Sequence, residues 1–301
     1  MSDAAPTEIL AELIAGLRAG GPDMTIDPHV LRHDYEALFE TMPVASDLSF
    51  RDQEIAGVDC IRVTPPGDAE GLVIYLHGGG YVVGSAEGYR GLAGEVARAA
   101  GMEALVVDYT LAPEYPFPNA VEDAVAVILG LRAQGLPARK IVLAGDSAGG
   151  GLVLATLLKL RDLEEDLPAA ALLISPWADL TCTAASLESN RAADPSLTRE
   201  GLQSCAKHYL AGQDADHPLA SPALADLTGL PPLLVQVGDI EILLDDAKTV
   251  AKRAEQAGVD VTLEIHPGLP HVFHAFHFML PQARKALNDA GAFLSEQMGG
   301  L

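Results

Sequence analysis

Positive charge is scarce in this chain of 301 residues: 19 Lys and Arg stand against 42 Asp and Glu, a formal net charge of −23. A surface so acidic repels phosphate backbones and anionic membranes, which argues against a nucleic-acid partner. Cysteine is scarcer still. Cys60, Cys182 and Cys205 are widely spaced, odd in number and without a CxxC pair, so neither a disulfide framework nor a zinc site is expected. That usage fits a reducing, cytoplasmic setting. No uninterrupted apolar run approaches the roughly 18 residues of a membrane-spanning helix, so no stable membrane insertion is expected. The opening MSDAAPTEILAELIAGLRAGG reads as a short amphipathic helix rather than a secretory signal. No G-x-G-x-x-G follows the early strand-like segments, which argues against dinucleotide binding. Internal repeats and low-complexity segments are lacking too. What is present is a 49% hydrophobic composition, ordinary for a globular protein.

Short apolar runs bounded by turn signals recur at 71–76, 103–109, 140–144, 171–174 and 233–237, with a last strand at 260–266. Helical patterns lie between most of them, at 89–100, 119–134, 148–163 and 245–257, and a final one covers 281–297. Two further strand-like segments, 48–55 and 58–63, precede this series. Two helices open the chain: 7–19, and a second that starts at the N-cap Asp27 with Pro28 in its first turn and runs to residue 40. Apolar strands alternating with helices predict an α/β architecture, a mostly parallel central sheet covered by helices on both faces. The polar segment 181–213 breaks the alternation. It is too long for a plain connection and reads as an inserted cap or lid.

Gly145-Asp146-Ser147-Ala148-Gly149 matches G-x-S-x-G between an apolar strand and a helical run. That is the strand–turn–helix setting of a nucleophile elbow, where a tight turn demands small neighbours and lifts the serine hydroxyl above the sheet. Ser147 is therefore the candidate nucleophile, placed where a helix N-terminus favours developing negative charge. His77-Gly78-Gly79-Gly80 follows another strand directly. Consecutive glycines make sense where backbone must approach a ligand. The N–H groups of Gly78 and Gly79, with that of Ala148, are expected to form an oxyanion hole, and His77 to anchor the loop. Of nine histidines, His271 sits in a loop just after the last predicted strand and is the candidate base. The spacing of His271, His274 and His277 fans out over a helix and does not converge on a metal. The orienting carboxylate should follow the strand 233–237, where Asp239 and Glu241 are both candidates and Asp245 and Asp246 lie slightly further on.

Together these blocks resemble the hormone-sensitive-lipase-like family of microbial esterases. HGGGY at 77–81, DYTLAPEYPFPNAVED at 108–123, GDSAGG at 145–150, SPWADLT at 175–181 and HPLASP at 217–222 occur in the family's order. The resemblance implies an α/β-hydrolase fold in a single domain, 1–301, with a helical cap formed by about 1–45 and 181–213. It also implies the chain order nucleophile, acid, base. The family's usual acid motif is D-P-L-x-D. Here the equivalent stretch is Glu241-Ile242-Leu243-Leu244-Asp245, so the resemblance implies Glu241 as the acid, with Asp239 the alternative. The expected function is that of a serine carboxylesterase acting on short- to medium-chain acyl esters through an acyl-enzyme, with no metal or organic cofactor. The same constellation could cleave amides or carbamates; a non-catalytic binding protein on the same fold can lose one of Ser147 and His271, and their presence here argues against that reading. Members are often dimers, so the resemblance allows a homodimer.

Overall fold

A computed structural model describes residues 6–299; the ends of the expected domain, 1–5 and 300–301, lie outside the described residues. The elements are α1 (Pro6–Gly20), α2 (Pro28–Glu40), β1 (Ser49–Ile55), β2 (Val58–Thr64), β3 (Leu72–Leu76), α3 (Ala86–Ala100), β4 (Glu103–Val107) and α4 (Asn119–Ala133). They continue with β5 (Ile141–Asp146), α5 (Ala148–Asp162), β6 (Ala171–Ile174), α6 (Ser186–Ser189), α7 (Arg199–Leu210), β7 (Leu233–Gly238), α8 (Leu244–Gln256), β8 (Val261–His266) and α9 (Pro281–Gly299).

The strands form one eight-stranded sheet in the order β1-β2-β4-β3-β5-β6-β7-β8. Strands β1 and β2 pair antiparallel, β2 meets β4 antiparallel, and every later pair is parallel. The β1–β2 hairpin turns on Ala56 and Gly57, both at positive φ (53° and 85°). A two-residue hairpin with right-twisted strands needs that geometry, and Gly57 supplies it without strain. Strands β3, β5, β6 and β7 are buried on both faces, which is why they read as continuous apolar runs rather than alternating ones.

Alternation still decides which residue faces which layer. Ile74, Leu76 and Leu143 pack with Val121, Ile128, Leu152 and Val250 of α4, α5 and α8. Their neighbours Val73, Tyr75 and Val142 pack with Ala93, Val96, Leu287 and Leu294 of α3 and α9. Helices thus cover both faces, as the periodicity predicts. Each such fully buried aliphatic side chain stabilises the fold by about 1.5–3 kcal/mol relative to exposure.

Two of the boundaries that differ from expectation have a local cause on view. Helix α3 starts at Ala86, three residues before the predicted 89, because Ser85 is its N-cap: the hydroxyl accepts from Gly88 N at 3.0 Å. Strand β4 stops at Val107 because Asp108 turns its carboxylate to Ala86 N at 2.7 Å. Residues 181–213 hold α6 and α7 and no strand. Among the described residues, no helix is long and apolar enough to cross a membrane.

Candidate active site

The sheet's parallel strands end on one side at the residues singled out from sequence. Strand β5 ends at Asp146 and α5 opens at Ala148, leaving Ser147 alone in the turn with φ 53° and ψ −122°. Such a backbone costs a non-glycine residue about 1–3 kcal/mol and persists only where the surroundings fix it. They do: Ser147 N donates to Ile174 O at 2.9 Å, and its carbonyl accepts from Trp177 N at 2.8 Å. A Cβ on Gly149 would collide with the Leu76 carbonyl oxygen, so the small residue after the serine is a steric requirement of the elbow.

Four carboxylates lie in or near the loop after β7, and the structure sorts them. Glu241 is fully buried, and its Oε2 is 2.8 Å from His271 Nδ1. Its other oxygen, Oε1, accepts from Gly238 N (2.6 Å) and from the Ser175 hydroxyl (2.7 Å). Ser175 Oγ in turn accepts from Val272 N at 3.1 Å, so one hydroxyl fixes both the acid and the backbone beside the imidazole. Asp239, the alternative, instead accepts from Gly268 N at 2.6 Å, in the loop after β8. Asp245 accepts from Ser186 N at 2.9 Å. Asp246 accepts from Ala178 N and Asp179 N at 3.0 and 2.9 Å; burial pushes its carboxyl up to about 8, outweighing those two donors.

Burial of His271 disfavours its charged form, but the hydrogen bond and charge of Glu241 outweigh it, with Asp194 and Asp146 adding to the pull. The imidazole is held above its ordinary value. The other two histidines of the H-x-x-H-x-x-H run have separate partners. His274 Nε2 is 2.9 Å from Gln236 Oε1, and His277 Nδ1 is 2.6 Å from Arg284 Nη2.

The glycine loop differs from expectation at one position. The Gly78 N–H is already taken, donating to Asp146 Oδ1 at 3.1 Å. The same carboxylate oxygen accepts from Tyr75 OH at 2.8 Å, and burial raises Asp146 to about 6 against the pull of these donors. Gly79 and Gly80 are the glycines that line the cavity. Gly79 has φ 110°, and a Cβ there would strike the Val83 carbonyl oxygen; only glycine fits. No protein acceptor for the amides of Gly79, Gly80 or Ala148 is found among the described residues. His77 is buried and stacked on Tyr109, with ring centroids 4.1 Å apart and planes 14° apart. Burial lowers it to about 4, so it stays neutral and anchors the loop.

Ser147 and His271 open into one cavity of about 170 Å³. Its walls come from two segments far apart in the chain. Leu17, Met24 and Phe39 belong to the N-terminal segment, Leu197, Leu202 and Cys205 to the 181–213 insertion. The lining is dominated by apolar side chains, and no Lys or Arg is among them.

Residues 73–275 match the model of the α/β-hydrolase-fold family. An acetyl-hydrolase of Streptomyces hygroscopicus is 50% identical over 227 residues, covering 75% of this chain and 76% of that protein. An esterase of Acinetobacter venetianus is 38% identical over 272 residues, 90% of this chain and 89% of its own. The crystal structure of an esterase from the bacterial hormone-sensitive lipase family superposes with a TM-score of 0.93 at 43% identity, covering 99% of this chain and all of that one. The chain belongs to the hormone-sensitive-lipase-like esterases of the α/β-hydrolase family. Membership accounts for the sheet order and for the two blocks whose purpose is otherwise obscure. In this member of the family, SPWADLT supplies Ser175, whose hydroxyl donates to Glu241. DYTLAPEYPFPNAVED supplies Tyr109, whose hydroxyl donates to His77 O at 2.7 Å behind the glycine loop.

Three residues next to the site were assigned no role from the sequence. Ser175 opens the SPWADLT block, yet the partner it acts on is 66 positions away. Asn190 and Asp194 lie in the insertion and reach the Glu241 loop from there.

Proposed function

We propose that this protein is a serine carboxylesterase that cleaves short- to medium-chain acyl esters through an acyl-enzyme intermediate. The observation that carries the reading is the shared cavity of Ser147 and His271, with Glu241 on the far imidazole nitrogen. Neutral His271 takes the Ser147 proton through Nε2 as Oγ attacks the ester carbonyl. The C–O bond of the ester breaks, and the imidazolium, paired with Glu241, gives its proton to the leaving alcohol. Water then repeats the sequence on the acyl-enzyme and releases the carboxylic acid. Asp239 ties its loop to the one after β8 through Gly268 N and takes no part.

The developing oxyanion is held by the amides of Gly79 and Ala148, with Gly80 in the place first expected of Gly78. Gly78 serves by tying the loop to Asp146. Losing one such donor costs about a hundred- to a thousandfold in rate. Residues 6–45, the described part of the expected 1–45, and 181–213 act as one cap on a single domain, supported by the cavity walls they share. An apolar lining without cations suits a neutral acyl ester. Three buried free cysteines suit a cytoplasmic enzyme.

The test is Ser147→Ala against a series of p-nitrophenyl esters of rising chain length, with a fluorophosphonate probe run in parallel. The parent should label once per chain and prefer the shorter esters; the variant should do neither. A variant retaining more than a few per cent of the parent's activity would end the proposal.

A further inference from the structure

Glu241 lies on a loop that the insertion grips by side chains. Asn190 Nδ2 donates to Asp239 O at 2.9 Å and to Glu241 O at 2.8 Å. Asp194, only 7% exposed, accepts from Ile242 N at 2.8 Å through Oδ2. Its other oxygen, Oδ1, accepts from Ser196 N and Leu197 N at 2.8 and 3.0 Å. Ser196 and Leu197 are cavity-wall residues. One carboxylate thus holds the amide next to the acid with one oxygen and the substrate wall with the other. Two backbone bonds close the unit, from Ala193 N and Asp194 N to Asn190 O, both 2.9 Å. Arg18 of α1 reaches the same turn, donating to Ala192 O and Ala193 O at 3.0 and 3.1 Å.

We propose that Asp194, together with Asn190, is a positioning device that fixes the Glu241 loop to the substrate-cavity wall, so that the wall's placement and the aim of the acid at His271 are set together. The inference rests on the hydrolase reading above. It requires no contact between Asp194 and substrate: the residue acts through Glu241 and through Leu197. A charge-assisted bond to a backbone amide holds position more strongly than a neutral one, which gives a reason for a buried carboxylate here rather than an amide.

The test compares the parent, Asp194→Asn, Asn190→Ala and, as a surface control on the same segment, Glu188→Gln. Active sites are counted with the fluorophosphonate, so that kcat refers to folded enzyme. Asp194→Asn keeps the shape but places an NH₂ against either the Ile242 or the Ser196 and Leu197 amides. Loss of aim by a fraction of an ångström to 1 Å should lower kcat by about ten- to a hundredfold, with KM rising as the wall loosens. The acid limb of kcat/KM should also move to lower pH. Asp194 is one of the anions facing His271; Glu241 and Asp146, and the neutral His274 on the following turn, remain. Asn190→Ala should lower kcat and leave the limb in place. A merely structural role would reduce the count of active sites while kcat per site and the limb stayed put, and that result in Asp194→Asn overturns the proposal. Should Asp194→Asn not fold, Asn190→Ala decides alone: kcat within twofold of the parent refutes the latch. A parent that neither labels nor turns over ester would instead refute the hydrolase reading.

Discussion

Glu241→Gln exchanges one oxygen for an NH₂ with almost no change of volume, yet it should disable the base twice over. The first effect is on charge. In the transition state the imidazolium of His271 sits beside a fully buried carboxylate, Nδ1 to Oε2 2.8 Å. With charge centres about 4 Å apart and an effective dielectric constant of about 20, their attraction is about 4 kcal/mol, or roughly a thousandfold in rate. The second effect is on the tautomer. The Gly238 amide and the Ser175 hydroxyl both donate to Oε1, so the glutamine carbonyl will stay there and its NH₂ will face His271 Nδ1. That nitrogen must then accept, which leaves the proton on Nε2 and removes the lone pair proposed to take the serine proton. Together these predict a fall in kcat of at least about a thousandfold, with KM little changed. Initial rates on p-nitrophenyl acetate, normalised to the fluorophosphonate burst, provide the assay. Asp239→Asn, at a carboxylate that accepts from Gly268 N and has no hydrogen bond to His271 among the described residues, should stay within about tenfold of the parent. A Glu241→Gln variant with more than a tenth of parental kcat, or an Asp239→Asn variant crippled to the same degree, would refute the reasoning.

In the proposed mechanism His271 acts in its neutral form, and it is held above its ordinary value, so kcat/KM should fall on the acid side through an apparent pKa above about 6.5; a limb centred below that value would contradict the role given to Glu241. Gly79→Ala should produce little folded protein or none, since the new methyl meets the Val83 carbonyl at a positive φ; yield and circular dichroism at the parent's level would refute the fit. Asp246 is an acid whose folded-state pKa is raised, to about 8. Its contribution to stability is complete below the unfolded value near 4 and is lost as pH rises through 8. Asp246→Asn should therefore flatten the decline of Tm between pH 5 and pH 9, and parallel Tm–pH curves for the two proteins would disprove it.

How much of this was legible beforehand follows from how local each cause is. The inner strands could be read because burial on two faces demands an uninterrupted apolar run, as in LVIYL of β3. The elbow could be read because its demand for small residues falls on immediate neighbours of Ser147. Direction of an amide is another matter. Gly78 and Gly79 are identical in sequence terms, and only the Asp146 side chain, 68 positions from Gly78, takes up one amide and leaves the other to the cavity. The choice between Asp239 and Glu241 needed the family resemblance for the same reason: spacing puts both carboxylates after β7, but which one meets His271 depends on Gly238 N, Ser175 and the insertion. Asn190 and Asp194 were illegible altogether. An Asn and an Asp in a polar segment look like solvated surface until the chain folds them onto Ile242 and Glu241.

The groups assigned to chemistry all hang from the tips of neighbouring strands. Ser147 follows β5, Ser175 follows β6, Glu241 follows β7 and His271 follows β8, four ribbons in unbroken succession. Their mutual spacing is therefore inherited from the ladder of main-chain bonds, about 4.8 Å per step. It is a ruler that no single side chain can stretch. Substitutions such as Leu202→Ala or Phe39→Ala on the roof can change which molecules are admitted while the reaction performed on them stays the same, and the roof is where a protein engineer seeking new selectivity should begin.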